Sequence, residues 1–156
     1  MTTRLVACLA LLVHAAAAAA ALPDDGTNPI VMPPPADKAG AEKLFVLING
    51  AYVPNTDYVE VAAAIQAASP FRLWVTIPSF LLDCPNPFQI GSAISGSLDA
   101  VAAAGGFADT GGAIDAAADV VVGGHSLGGI FSQTAVVSGN YSGLVLFGSY
   151  LLSANG

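Results

Sequence analysis

A serine flanked by glycines stands between an apolar strand pattern and an apolar helix pattern. Residues 120–131 are VVVGGHSLGGIF, with Ser126 at the centre and Gly124 and Gly128 two positions away on either side. A serine at the tip of a sharp strand-to-helix turn is lifted clear of its neighbours, and the helix amino terminus beside it favours developing negative charge. This pattern therefore predicts nucleophilic attack on a carbonyl carbon by Ser126.

Two other kinds of glycine-rich site do not fit the spacing. A dinucleotide fingerprint needs glycines at the first, third and sixth positions after a strand. Counting from Gly123 the third position is His125, and counting from Gly124 it is Ser126. No acidic residue follows Asp119 to hold a ribose, and no lysine follows the glycines as a phosphate loop requires. Glycines that only pack a helix close to a strand remain the structural alternative.

The chain around this serine alternates strand patterns with helix patterns. Four apolar runs predict strands, at residues 44–48, 71–77, 119–122 and 143–147. Three stretches rich in small residues predict helices, at residues 57–68, 92–104 and 129–137, the first opened by Asp57 and Glu60 at capping-box spacing. Because strands and helices alternate, we predict an α/β fold, a three-layer sandwich with a mostly parallel sheet.

These motifs resemble those of a known fold family. GGHSLGG after a β-branched strand resembles the nucleophile elbow of α/β-hydrolase-fold enzymes, and residues 143–151, GLVLFGSYL, resemble the sixth strand of that family. Residues 49–54, NGAYVP, resemble the turn of dienelactone-hydrolase-like members, although Asn49 stands where a histidine is frequent. The resemblance covers residues 43–151 and implies a partial α/β-hydrolase fold that cleaves an ester or related acyl bond.

The resemblance also implies roles for individual residues. Ser126 would be the nucleophile, and the elbow glycines Gly124 and Gly128 would keep its turn sharp. The backbone N–H of Leu127 would donate to the oxyanion, with a second donor at Ala51 or Tyr52. No cofactor and no metal is expected in such a site.

The partners that a serine nucleophile needs are missing from the sequence. In this fold an acid and then a histidine follow the serine, yet no Asp, Glu or His occurs after Ser126. His125 lies beside the serine on the elbow, where neighbouring side chains diverge, so we expect it to pack and hydrogen-bond rather than act as the base. We therefore expect a truncated hydrolase. The alternative is a catalytically inactive binding protein with the same fold.

The rest of the chain predicts its organisation and partners. Residues 1–21 have the pattern of a signal peptide, which implies a secreted or extracytoplasmic protein without a stable membrane span after cleavage. Residues 22–42 form a proline-rich lead-in with a short edge strand at residues 30–32, and residues 43–156 form the N-terminal part of the hydrolase domain. A net charge of −7 argues against nucleic acid and leaves a small-molecule or lipid-like ester as the expected partner.

One loop is a candidate for contact with such a substrate. Residues 79–90 follow the second predicted parallel strand at its carboxyl end, where sites of α/β folds lie. The loop carries four large apolar side chains, Phe80, Leu81, Leu82 and Phe88. They either line an acyl pocket or seal the core, and the sequence leaves both possibilities open. Trp74, in the strand before this loop, is expected in the core.

Overall fold

A five-stranded sheet with helices on both faces forms the part of the chain that the computed structural model describes, residues 28–153. The strands are β1 (Ile30–Met32), β2 (Glu42–Ile48), β3 (Arg72–Ile77), β4 (Val120–His125) and β5 (Gly143–Phe147). The helices are α1 (Val59–Ala68), α2 (Pro87–Ala103), α3 (Ala116–Asp119) and α4 (Leu127–Gly139). Three short 3₁₀ turns join them, at Asn55–Tyr58, Leu81–Asp83 and Ala108–Thr110.

The order of strands across the sheet is β1-β3-β2-β4-β5. Strands β2 to β5 are parallel, and only β1 runs antiparallel, against β3. In this register Ile48 at the end of β2 pairs with Gly124, and His125 at the end of β4 pairs with Phe147. The carboxyl ends of three adjacent strands therefore meet at one edge of the sheet.

Strand β2 shows why the fold has three layers. Leu44, Val46 and Ile48 belong to the core on the α2 and α4 side, whereas Phe45 and Leu47 belong to the core on the α1 side. Because successive side chains of a strand point to opposite faces, a strand covered on both faces is continuously apolar. The predicted α/β class and mostly parallel three-layer sheet are confirmed, and Trp74 lies in the core as expected.

Several of the predicted boundaries are wrong. Helix α2 begins at Pro87 and not at residue 92, because the Asn86 side chain caps it by accepting the Phe88 N–H at 3.1 Å. Proline is compatible with the first turn of a helix, so Pro87 starts this helix instead of breaking it. The predicted capping box does not form, since Asp57 lies in the 3₁₀ turn before α1 and no side chain caps α1.

Strand β4 is longer than predicted, because two glycines continue it to His125. Gly123 pairs with Leu47 on one side and Val145 on the other. The Phe45 and Phe147 rings, 6.3 Å apart between centroids, pack over the space where a side chain at position 123 would stand. The glycines of this strand thus make room for aromatic rings and do not end the pairing.

The predicted signal peptide lies outside the described residues. Between residues 28 and 153, no helix combines the length and the apolar character needed to cross a bilayer. The lead-in does contain the expected edge strand, β1. Its end is held by Gln66 of α1, whose Nε2 donates to the carbonyl oxygens of Met32 and Pro33, both at 3.0 Å.

Candidate active site

Ser126 occupies the single residue between β4 and α4. Its backbone has φ 49° and ψ −118°, a conformation that costs a residue other than glycine about 1–3 kcal/mol and persists only when the surroundings impose it. Its N–H donates to the Phe147 carbonyl at 3.0 Å, and its carbonyl accepts the Ile130 N–H at 3.3 Å. These bonds fix the backbone on both sides, while the residue itself is exposed.

The two elbow glycines lie where no side chain fits. A Cβ built on Gly124 would be 2.5 Å from the Gly129 nitrogen, so the start of α4 crosses directly over β4. A Cβ built on Gly128 would overlap the Asn49 carbonyl and come within 2.9 Å of the Ile48 carbonyl, so α4 also touches the end of β2. The glycines predicted from the motif are therefore required by close backbone approach.

The start of helix α4 presents backbone donors beside the serine. Leu127 is the first residue of this helix of 13 residues, and it is half-buried. The first N–H groups of an α-helix have no partner inside the helix, and together they carry a partial positive charge. The Leu127 N–H therefore lies next to Ser126 with its donor capacity unused by α4.

The turn after β2 lies against the serine. A Cβ built on Gly50 would be 3.4 Å from the Ser126 Cβ, so this turn and the elbow are in contact. The Tyr52 N–H donates to the Asp83 carbonyl at 2.9 Å and is thereby engaged. Among the described residues no acceptor takes the Ala51 N–H. Of the two N–H groups that the sequence left as alternatives, the one of Tyr52 is therefore engaged and the one of Ala51 is not.

The Asn49 side chain holds this turn through hydrogen bonds from the protein interior. The side chain is fully buried, and its Nδ2 donates to the carbonyl oxygens of Val53 at 2.8 Å and Asp83 at 3.1 Å. The Asp83 carbonyl thus accepts from both Asn49 and Tyr52, which joins the turn after β2 to the loop after β3. An asparagine fits this position because its amide supplies two hydrogens to the surrounding carbonyls.

The His125 side chain is engaged by Tyr58, a residue that the sequence analysis did not single out. The Tyr58 hydroxyl lies 2.8 Å from His125 Nδ1 and accepts the Gly50 N–H, also at 2.8 Å. Burial raises the pKa of Tyr58, with a smaller contribution from Asp57, while the Gly50 bond acts in the opposite direction. His125 is the only histidine among residues 28–153, and its Nδ1 is engaged by Tyr58.

Apolar side chains lie around the carboxyl edge of the sheet. Among the four candidates of the loop after β3, Phe80 is 1% exposed and belongs to the core, whereas the other three are among the exposed apolar residues. The exposed apolar residues in the loops after β2, β3 and β5 and at the start of α2 are Tyr52, Leu81, Leu82, Phe88, Tyr150, Leu151 and Leu152. Of the two possibilities that the sequence left open, sealing the core is thus observed for Phe80 and not for the other three.

A cavity among the described residues lies away from Ser126. It has a volume of about 270 Å³ and is lined by Pro29, Phe80 and residues of the first half of α2. None of its lining residues is titratable, and Ser126 is not among them. This cavity does not belong to the candidate site.

Comparison with known proteins identifies the fold. No family model and no curated protein matches the sequence. Among solved structures, a bacterial heroin esterase is similar, with a TM-score of 0.53 and 18% identity over 85% of this chain and 47% of its own. A phospholipase/carboxylesterase from Dyadobacter fermentans DSM 18053 gives a TM-score of 0.44, 16% identity and coverages of 81% and 62%. The esterase PE8 gives a TM-score of 0.40 and 16% identity, with 67% of this chain and 54% of its own chain covered.

The matched region thus spans about half of the length of the heroin esterase. The likeness to that structure, with a TM-score of 0.53 at 18% identity, shows a shared fold. The chain has the α/β-hydrolase fold over a partial length of it.

Proposed function

We propose that this chain is part of a serine hydrolase that cleaves an ester or a related acyl bond, with Ser126 as the nucleophile. The observation that carries the proposal is the strained, exposed Ser126 between β4 and α4, followed by the Leu127 N–H and in contact with the turn that carries the unengaged Ala51 N–H. Residues in strained conformations cluster at functional sites, because such a conformation persists only where the surrounding structure imposes it.

The oxyanion formed during attack would be held by two backbone donors. The Leu127 N–H at the start of α4 is one, and the Ala51 N–H is the other. We assign Ala51 and not Tyr52, because the Tyr52 N–H already donates to the Asp83 carbonyl. Such preorganised donors stabilise the transition state more than the ground state, which is the condition for a faster reaction.

The substrate we propose is an uncharged ester with an apolar part. The loops around Ser126, residues 49–54, 78–86 and 148–153, contain one charged side chain, that of Asp83, and most of the exposed large apolar residues. The proteins with similar structures are named esterases or a phospholipase/carboxylesterase, which agrees with this class of substrate. We place the general base and the acid outside the described residues.

Covalent labelling in the presence of an added base tests the proposal. The 156-residue chain is incubated with a fluorophosphonate, with and without imidazole, and the modified residue is found by mass spectrometry. We expect slow modification of Ser126 that imidazole accelerates about tenfold or more, because a general base contributes at least that much. Ser126→Ala abolishes the modification, and Ser138→Ala, a change at an exposed serine of α4, leaves it intact.

Two outcomes contradict parts of this proposal. Fast labelling of Ser126 without imidazole shows that a base is present after all. No labelling of Ser126 under any condition favours the second candidate, a binding protein that keeps the fold without the chemistry. That candidate is supported by one observation, the engagement of His125 by Tyr58.

A further inference from the structure

Tyr58 lies at a junction between two parts of the candidate site. It is the last residue of the 3₁₀ turn Asn55–Tyr58, directly before α1, and it is 9% exposed. Its ring packs beside that of His125, with centroids 5.8 Å apart and a tilt of 55°. The hydroxyl therefore lies within the protein and faces the loops at the carboxyl edge of the sheet.

The Tyr58 hydroxyl bonds to two segments that are distant in sequence. One partner is the Gly50 N–H, next to Ala51, and the other is His125 Nδ1, next to Ser126. Each of these partners adjoins a residue with a proposed role in catalysis. A single hydroxyl thus connects the turn after β2 with the elbow after β4.

The Tyr58 hydroxyl has one hydrogen to donate and two lone pairs that accept, so the tautomer of His125 sets the direction of the bond between them. Burial raises the pKa of Tyr58, so the phenol keeps its single proton at neutral pH. Its oxygen accepts from the Gly50 N–H, and we expect its own hydrogen to be donated to His125 Nδ1. A neutral imidazole that accepts at Nδ1 carries its own hydrogen on Nε2. Gly50 also covers this nitrogen, since a Cβ built there would be 2.6 Å from it.

We propose that Tyr58 is a positioning residue, whose hydroxyl holds the turn after β2 and the elbow in one arrangement through Gly50 and His125. The Ala51 N–H then keeps its place beside Ser126. The catalytic consequence rests on the function proposed above, while the arrangement itself does not. Tyr58 touches neither the nucleophile nor the oxyanion, and it acts through the two residues that precede them.

The first test measures the tautomer of His125. Nitrogen NMR of histidine-labelled protein reports which ring nitrogen carries the hydrogen, and His14→Gln assigns the signal of the other histidine. We expect Nε2–H in the wild type and a mixture of tautomers in Tyr58→Phe, which removes only the hydroxyl. Tyr141→Phe is the matched control, since Tyr141 is half-buried near the far end of α4 and leaves His125 unchanged. An unchanged His125 tautomer in Tyr58→Phe overturns the proposal.

The second test uses the imidazole-assisted labelling of Ser126. We expect Tyr58→Phe and His125→Ala each to slow it about tenfold, because small displacements of a catalytic group have effects of that size or larger. The double variant should be no slower than either single variant, since both remove the same connection. In His125→Asn an amide oxygen can accept from Tyr58, so this variant should recover most of the rate.

Independent, multiplying effects of the two substitutions would contradict the proposal. Thermal unfolding of each variant separates a loss of folding from a loss of position. If Ser126 is not labelled even in the wild type, the proposed function fails, and the tautomer measurement still decides whether Tyr58 makes this connection.

Discussion

Ser126 depends on its neighbours more than on its own preferences. A serine does not favour positive φ, so the conformation at position 126 is imposed by the bonds to Phe147 and Ile130 and by the close crossing of α4 over β4. The residues that make this crossing possible are glycines. The loss of unfolding free energy on replacing these glycines therefore measures how closely α4 packs against β4 and β2.

Gly128→Ala should lower the free energy of unfolding by about 2 kcal/mol, because the added methyl group would overlap backbone atoms of Ile48 and Asn49 that cannot move aside easily. Gly91→Ala is the matched control, since a Cβ at that position of α2 meets no atom within 4 Å. The control should gain about 0.5–1 kcal/mol from helix propensity. Urea unfolding of the two variants measures both values, and equal effects would contradict the crowded elbow.

Tyr58 makes the free energy of unfolding vary with pH in the alkaline range. The pKa of Tyr58 is raised in the folded state, so the unfolded chain loses this proton first as the pH rises. The contribution of Tyr58 is complete below pH 10 and is lost as the pH rises through the folded pKa. Denaturant unfolding between pH 8 and pH 11 should therefore show a smaller decline in Tyr58→Phe than in the wild type, and an equal decline would contradict the raised pKa.

The sequence was informative about Ser126, Gly124 and Gly128 because a short local pattern encodes the elbow. It did not indicate Tyr58, whose two partners lie 8 and 67 residues away and share no pattern with it. It could not choose between Ala51 and Tyr52 either. That choice depends on the Asp83 carbonyl, which comes from another loop.

At the scale of elements, the strands of the sheet were predictable because β2, β3, β4 and β5 are each covered on at least one face and carry apolar runs. The start of α2 could not be predicted from apolar runs, because it is determined by a helix cap. The Asn86 side chain and Pro87 begin this helix within a segment that contains three turn-forming residues. Local propensity alone favoured a loop there, and a single hydrogen bond decided otherwise.

The side chain of Gln66 holds the edge strand β1 in place. Its Nε2 donates to the carbonyl oxygens of Leu73, Met32 and Pro33, and the side chain is 4% exposed. Gln66→Leu should cost about 2–3 kcal/mol, because it keeps the volume and leaves buried carbonyls without a donor. Hydrogen exchange should show faster exchange at β1 than in the wild type, with β4 unaffected. Equal acceleration in β1 and β4 would indicate a global effect instead.

At the scale of the whole molecule, β5 is the edge of the described sheet on the side away from β1. Val145 of this strand is 39% exposed, and the strand contains no charged residue. An uncharged apolar edge pairs readily with other chains. The net charge of −7 opposes such association at low salt, because like-charged molecules repel one another.

We therefore expect the 156-residue chain to self-associate with rising concentration, and more so as salt screens its charge. Val145→Lys should keep it monomeric over a wider range, because a lysine on an edge strand disfavours pairing. Sedimentation velocity measures the effect. Val137→Lys is the control, since Val137 of α4 is 88% exposed and the substitution changes the charge equally without touching the edge. The same improvement in both variants would point to charge alone.

The shared Asp83 carbonyl limits how this protein can be modified. Any attempt to reshape the proposed substrate site by lengthening or shortening the loop after β3 would displace an acceptor on which Asn49 and Tyr52 both depend. The turn that carries Ala51 would then shift as well, and rate would be lost together with the old selectivity. Residues 148–153, which contribute no acceptor to that turn, offer a separate place to alter the choice of substrate.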